Sequence, residues 1–261
     1  SSQRYVAVIA GPSLAGLVVA WLGAGACYAV DAISWLGMLG FLFLIKGPIP
    51  DGKGWRGLSF GSLHAGWRFI LGNAVIFPLL VMDFGVNLFG SVRALLPIYA
   101  RDILMVGPEG LGVLYAASAA GSLLGAAGFS LVGRVRRAGA GILIGVSIYA
   151  VSIAWFAKSQ LFWLSVLLLV ASGVGDTISA VLRATINQLN TPDELRGRMA
   201  SISSAFTNSG PQLGQFQVGA LAALIGAELS ALTGGLVILL IVVVMAAGFP
   251  KVRKYNLTEN Y

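Results

Sequence analysis

The chain has 261 residues, of which 57% are hydrophobic and only 10% charged, with a net charge of +7. A soluble domain carries about 25% charged residues, so a chain this apolar, with mean hydropathy +0.86, cannot cover itself with polar surface and fits a lipid bilayer instead. That excludes a soluble enzyme, a disordered chain and a disulfide scaffold: Cys27 is the single cysteine, His64 the single histidine, and neither a His/Cys metal cluster nor any other cofactor is expected.

Apolar stretches long enough to cross a hydrocarbon layer of ~30 Å predict eight transmembrane helices, at residues 6–23, 26–45, 74–100, 111–133, 140–157, 161–182, 199–225 and 229–248. Strand-like alternation is weak, so the fold class is an all-α integral membrane protein rather than a barrel. Ser1-Ser2-Gln3-Arg4 runs almost directly into the first span without an initiator Met, which reads as the interior of a longer protein.

Residues 1–45 hold the first two spans. A Gly/Pro-rich linker follows, KGPIPDGKGWRGLSFG, and residues 46–73 are read as a connection between two bundles. Within it Leu63, Trp67, Ile70 and Leu71 recur at helical spacing, which predicts a short amphipathic helix at the membrane surface. Residues 74–248 carry the other six spans, and 249–261 form a tail. In the fourth span, Gly121-x-x-x-Gly125 suits close approach to a neighbouring helix. Thr191-Pro192-Asp193-Glu194 predicts a helix start, with Thr191 as cap, Pro192 in the first turn and Glu194 reaching back. The seventh span that follows is polar along part of its length (Ser201, Ser203, Ser204, Thr207, Asn208, Ser209), and Gly210-Pro211 should kink it.

Five ionisable residues fall within spans: Asp31, Asp83, Arg93, Asp176 and Arg183. Each costs about 2.5–3.5 kcal/mol at a helix centre and must face protein or a water-filled cavity. Asp83 and Arg93 share the third span; Asp176 and Arg183 share the sixth, seven residues apart on one face. An acid followed by an arginine in equivalent spans of two three-span groups is the pattern of an internal repeat lining a common cavity. Asn73, Asn87 and Gln188 are weaker polar candidates on the same helices. A structural role, by snorkelling or pairing, stands beside the functional one for all of these charges.

With the first loop end assigned to the cytoplasm, 13 of the 17 Lys and Arg residues fall on that side and only Arg101 and Lys158 on the other, while Arg93 and Arg183 lie within spans. Such a bias is the positive-inside pattern and puts both ends of the chain in the cytoplasm.

The stretches GPSLAG at 11–16, CYAVDAISWL at 27–36, LLPIYA at 95–100, GLGVLYAASAAGSLLGA at 110–126 and TPDELRGRM at 191–199 resemble, in that order and spacing, exporters of the major facilitator superfamily, in the branch containing enterobactin and macrolide efflux proteins. The resemblance covers nearly the whole chain. It implies a partial facilitator fold made of helices five to twelve of a twelve-helix protein, with the third and sixth spans as cavity-lining helices. It also implies packing or gating roles for Gly11, Pro12 and Gly16 and for Arg134, Arg196 and Arg198. The chain departs from the family where Arg134-Val135-Arg136-Arg137 offers only basic residues in place of an acid, and where Ala7 and Ala15 replace glycines.

The reading that results is a secondary transporter of a bacterial inner membrane. It would export an amphipathic small molecule, a siderophore or a drug-like compound, by alternating access. Asp83, Asn87, Arg93, Asp176 and Arg183 would form the substrate or proton pathway. Its partners would be the substrate, protons and the bilayer, with no nucleic acid, and no Gly-x-x-x-x-Gly-Lys phosphate loop is present. An uptake permease of the same fold and a non-transporting membrane scaffold are the alternatives.

Overall fold

The computed structural model describes residues 24–44, 67–132 and 137–256. The first predicted span, most of the linker with His64, and Gly11, Pro12, Gly16 and Arg134 lie outside the described residues. Every regular element among the described residues is helical. α1 (Ala24–Leu44) corresponds to the second predicted span and contains an apolar stretch, Tyr28–Phe41. α2 (67–72) is the predicted amphipathic turn. Its Ile70 is fully buried against Ile76, Leu80, Met199 and Ile202, and Trp67 stacks on Phe206 with ring centroids 5.8 Å apart.

The six longer helices are α3 (Ile76–Phe89), α4 (Gly107–Val132), α5 (Ala138–Phe156), α6 (Phe162–Leu189), α7 (Arg196–Ile225) and α8 (Ala227–Gly248), followed by a single turn, α9 (Pro250–Arg253). Five stretches are long and apolar enough to cross a membrane: Ile76–Ile103, Gly107–Phe129, Ala138–Phe156, Phe162–Leu189 and Ala227–Gly248. α7 is the exception. With 30 residues it is long enough, but the Ser, Thr, Asn and Gln side chains between 201 and 217 keep it out of the apolar set.

The third predicted span is not one continuous α-helix. α3 ends at Gly90, and the path continues through a 3-10 turn (Val92–Leu95), a short α turn (Leu96–Ile98) and a π turn (Tyr99–Ile103). The start of α7 also differs from expectation. Thr191 does not cap it: its hydroxyl donates back to the Asn187 carbonyl (2.5 Å), closing the end of α6. Pro192 is extended, Asp193–Leu195 forms a 3-10 turn, and α7 begins only at Arg196, tied to Asp193 by a 3.0 Å ion pair. The hydroxyl found a free C-terminal carbonyl closer than the next helix's N–H groups. Asn73, ranked only as a weak cavity candidate, is the side chain that does secure a helix start: its Oδ1 accepts the N–H groups of Val75 and Ile76 (2.9 and 3.0 Å).

In lipid, apolar contact alone gives helices little reason to associate, so close backbone approach through small residues matters. α6 is seated this way on two sides. A Cβ added at Gly121 or Gly125 of α4 would meet the backbone of Val170 or Val174, and one at Gly173 would meet Ser118. On the other side Gly145 of α5 lies against Gly175 and Ser179. α8 completes the packing, with Gly234 against Phe89 and Gly235 against Ala154. Between α7 and α8, Gly226 adopts φ 87°, a left-handed backbone that lets one helix follow the other directly. Large buried side chains fill the gaps in two layers, one around Leu79, Met82, Ile142, Leu182 and Ile238, the other around Leu95, Tyr99, Phe156 and Leu169.

Candidate functional site

α3 and α6 pack mainly on other helices. What joins them is charge. Arg183 of α6 places Nη2 2.8 Å from Asp83 Oδ1 of α3, with the two side chains 9% and 16% exposed. Its Nη1 donates to Ser179 Oγ (2.7 Å), one turn earlier on α6. Asp83 Oδ1 also accepts from Asn87 Nδ2 (3.1 Å), which reaches the Asp83 carbonyl as well (2.8 Å). Because a helical side chain leans toward the N-terminus, Arg183 points back along α6 toward Ser179 and Asp176. The seating of α6 by Gly173 and Gly175 fixes the height at which Arg183 meets α3.

Asp176 is exposed at the surface of α6, and Arg183, Asp83 and Tyr149 all lie within its electrostatic reach. The Tyr149 hydroxyl donates to the Gly90 carbonyl (2.5 Å), where α3 ends. Ser91 bridges the same break to α7: its Oγ donates to the Asn87 carbonyl (2.6 Å) and lies 3.4 Å from the Pro211 carbonyl. The break in α3 and the proline of α7 therefore face each other across Ser91.

The structure thus brings together Asp83, Asn87, Arg183 and, within electrostatic range, Asp176. It does not bring Arg93 to them. With α3 ending at Gly90, Arg93 falls in the 3-10 turn that follows, ten residues beyond Asp83. It lies exposed instead, with its guanidinium 5.1 Å from the ring centroid of Tyr115 on α4, a cation–π contact. Asp31 is exposed on α1. Arg196 and Arg198 are exposed at the start of α7, Gln188 at the end of α6. Ser179 and Tyr149 escaped the sequence reading. Ser179 had a signal, being four residues before Arg183; Tyr149 had none, because its partner is a carbonyl exposed by a helix break.

Among the described residues no group of three or more His, Cys, Asp or Glu side chains could hold a metal. Arg183 stays charged, paired with Asp83 and within electrostatic reach of Asp176, so the net charge of the three groups together changes with the protonation of either acid.

The family described as transmembrane secretion effector matches residues 2–259. The chain belongs to that family. Its members are of the major facilitator type, in keeping with the all-α integral membrane architecture and the partial facilitator fold. Similar proteins include the enterobactin exporter EntS of Salmonella typhimurium, 26% identical over 248 residues. The enterobactin exporters of Shigella boydii and Escherichia coli O81 are 27% and 26% identical over the same length. In each case the match covers 95% of this chain and 59% of the relative, so the chain spans about three-fifths of the length of these transmembrane secretion effectors. These relatives are named as exporters, not as enzymes.

Proposed function

We propose that this chain supplies helices five to twelve of a facilitator-type exporter in a bacterial inner membrane, with α3–α8 as the C-terminal bundle. The exporter carries an amphipathic small molecule outward by alternating access, two bundles rocking about a central site. The observation that carries this reading is the Asp83–Arg183 pair beside the exposed Asp176. A scaffold would not keep a buried ion pair and an adjacent acid on the open face of a membrane bundle, given what each charge costs there. The family match and the enterobactin exporters among the relatives favour export over uptake, and a siderophore-like molecule as substrate.

In this mechanism Arg183 and Asp83 form the fixed pair and Asp176 is the group that takes and releases a proton. Protonating Asp176 leaves Arg183 matched by Asp83 alone; deprotonating it adds a second negative charge to the site. Each change alters the balance that holds α3 against α6. The test uses the full-length protein in proteoliposomes with an imposed pH gradient and enterobactin as probe. Asp176→Asn should lose gradient-driven transport and keep substrate exchange. Undiminished gradient-driven transport in Asp176→Asn and Asp83→Asn alike would remove both acids from proton coupling, and transport in the inward direction would replace the exporter with a permease.

A further inference from the structure

We propose that Arg93 and Tyr115 form a subsite for an oxyanion, a carboxylate or an ionised phenol carried by an amphipathic small molecule, separated by the break at Gly90 from the Asp83–Arg183 pair. Both residues lie inside stretches long and apolar enough to span a membrane, Arg93 in Ile76–Ile103 and Tyr115 in Gly107–Phe129. The Arg93 guanidinium stands 5.1 Å from the Tyr115 ring centroid. Tyr115 is eight residues into α4, about 12 Å along the helix at ~1.5 Å per residue. The contact therefore holds the cation at membrane depth, away from headgroup phosphates.

No acid answers this charge. Among the described residues the ion pairs are Arg101–Asp102, Arg183–Asp83 and Arg196–Asp193, and Arg93 is in none of them. Its side chain makes no hydrogen bond among those residues, and the Tyr115 hydroxyl has no partner there either. An aromatic face attracts a cation but does not neutralise it. Arg93 is exposed and Tyr115 half-buried, so a ligand can reach both. An arginine at this depth must face protein or a water-filled cavity rather than lipid.

The two side chains select by chemistry. A guanidinium presents its N–H donors in a planar fork that fits the two oxygens of a carboxylate, or those of adjacent phenols. The Tyr115 hydroxyl adds one more donor, and its ring a flat apolar wall for the part of the molecule beside the anion. Arg183 offers no such site, because its charge is buried and already matched by Asp83. A neutral molecule would leave Arg93 unanswered, so preference for the charged member of an otherwise similar pair is the mark of the subsite. That the anion belongs to an exported molecule rests on the exporter reading above; the preference for an anion does not.

The experiment uses titration calorimetry on the full-length protein in nanodiscs of neutral phosphatidylcholine, at mildly alkaline pH. The probes are enterobactin, whose phenols ionise, against its fully O-methylated neutral form, and salicylate against neutral salicylamide. The charged member of each pair should bind more tightly. Arg93→Gln should weaken the charged member about tenfold or more, the loss of a charge-assisted hydrogen bond, and leave the neutral member unchanged. Arg93→Lys, which keeps the charge, should retain part of the preference, and Tyr115→Leu should weaken the charged member about threefold. Equal weakening of charged and neutral members by Arg93→Gln would make Arg93 a structural residue and overturn the subsite. Wild-type binding without preference for the charged members, or no binding of them, would overturn it too. Outward transport of enterobactin in proteoliposomes is read separately. Arg93-dependent anion binding without transport overturns the exporter and keeps the subsite; transport with anion binding indifferent to Arg93→Gln overturns the subsite and keeps the exporter.

Discussion

Arg183 puts a full charge into a site where little of its side chain reaches the surface, and Asp83 and Ser179 are the groups that answer it. Breaking such a buried pair from one side leaves an uncompensated charge, at a cost of roughly 3–5 kcal/mol. Asp83→Asn should therefore lower the thermal stability of the detergent-solubilised protein by that order. Replacing both partners, Asp83→Asn with Arg183→Met, should recover much of the loss, since no charge is then left buried. Size-exclusion thermostability of the two single variants and the double variant reads this directly; losses that simply add would mean the two residues do not act as a pair. Asp176→Asn serves as contrast: an exposed acid should cost little stability, whatever it does to transport. The charges themselves were legible in the sequence, because an ionisable residue inside an apolar span is conspicuous. Their pairing was not. Spacing along one chain suggests partners on the same helix, whereas Arg183 found its acid on another, and Arg93, in the 3-10 turn after Gly90, lies over the ring of Tyr115 on α4.

α6 is held at its height by glycines on both flanks, and that height decides whether Arg183 meets Asp83. Gly121 sits where an added Cβ would run into the Val170 carbonyl, backbone that cannot rotate away, whereas Gly128 on the same helix has nothing within 4 Å. Gly121→Ala should push α4 from α6 and cost about 1–3 kcal/mol, the usual penalty of overpacking. Gly128→Ala should be neutral or slightly stabilising through its better helix propensity. Equal melting temperatures for the two variants would show that the close approach carries no energy. The small-x-x-x-small pattern made the α4 contact readable in advance, and the long apolar runs gave α4, α5, α6 and α8 to within a few residues at most ends. The start of α7 was misread for a physical reason. Thr191 lies between two helices that both leave backbone groups open, and sequence does not say which end its hydroxyl will serve; the structure gives it to the end of α6.

The distribution of charge over the whole bundle makes the last prediction. Following the helices through their turns, α3, α5 and α7 begin at one end of the bundle, where α4, α6 and α8 finish. The hydrogen bonds from Gly139 N–H to the Tyr255 carbonyl (3.3 Å) and from Asn190 to the Tyr255 hydroxyl (2.7 Å) join the start of α5, the end of α6 and the segment after α9 at that same end. Among the described residues this end carries Arg68, Arg137, Arg196, Arg198, Lys251, Arg253 and Lys254. The opposite end carries Lys158 and Arg101, and Arg101 is paired with Asp102 at 2.6 Å. Glu109 and Glu228 add negative charge there. Basic residues flanking spans stay on the cytoplasmic side during insertion, so we expect Lys254 inside and Lys158 outside. Single cysteines at these two positions, in a Cys27→Ala background, distinguish the orientations. In intact cells an impermeant maleimide should modify Lys158→Cys and spare Lys254→Cys, and permeabilisation should expose the second. Labelling of position 254 but not 158 before permeabilisation would invert the bundle.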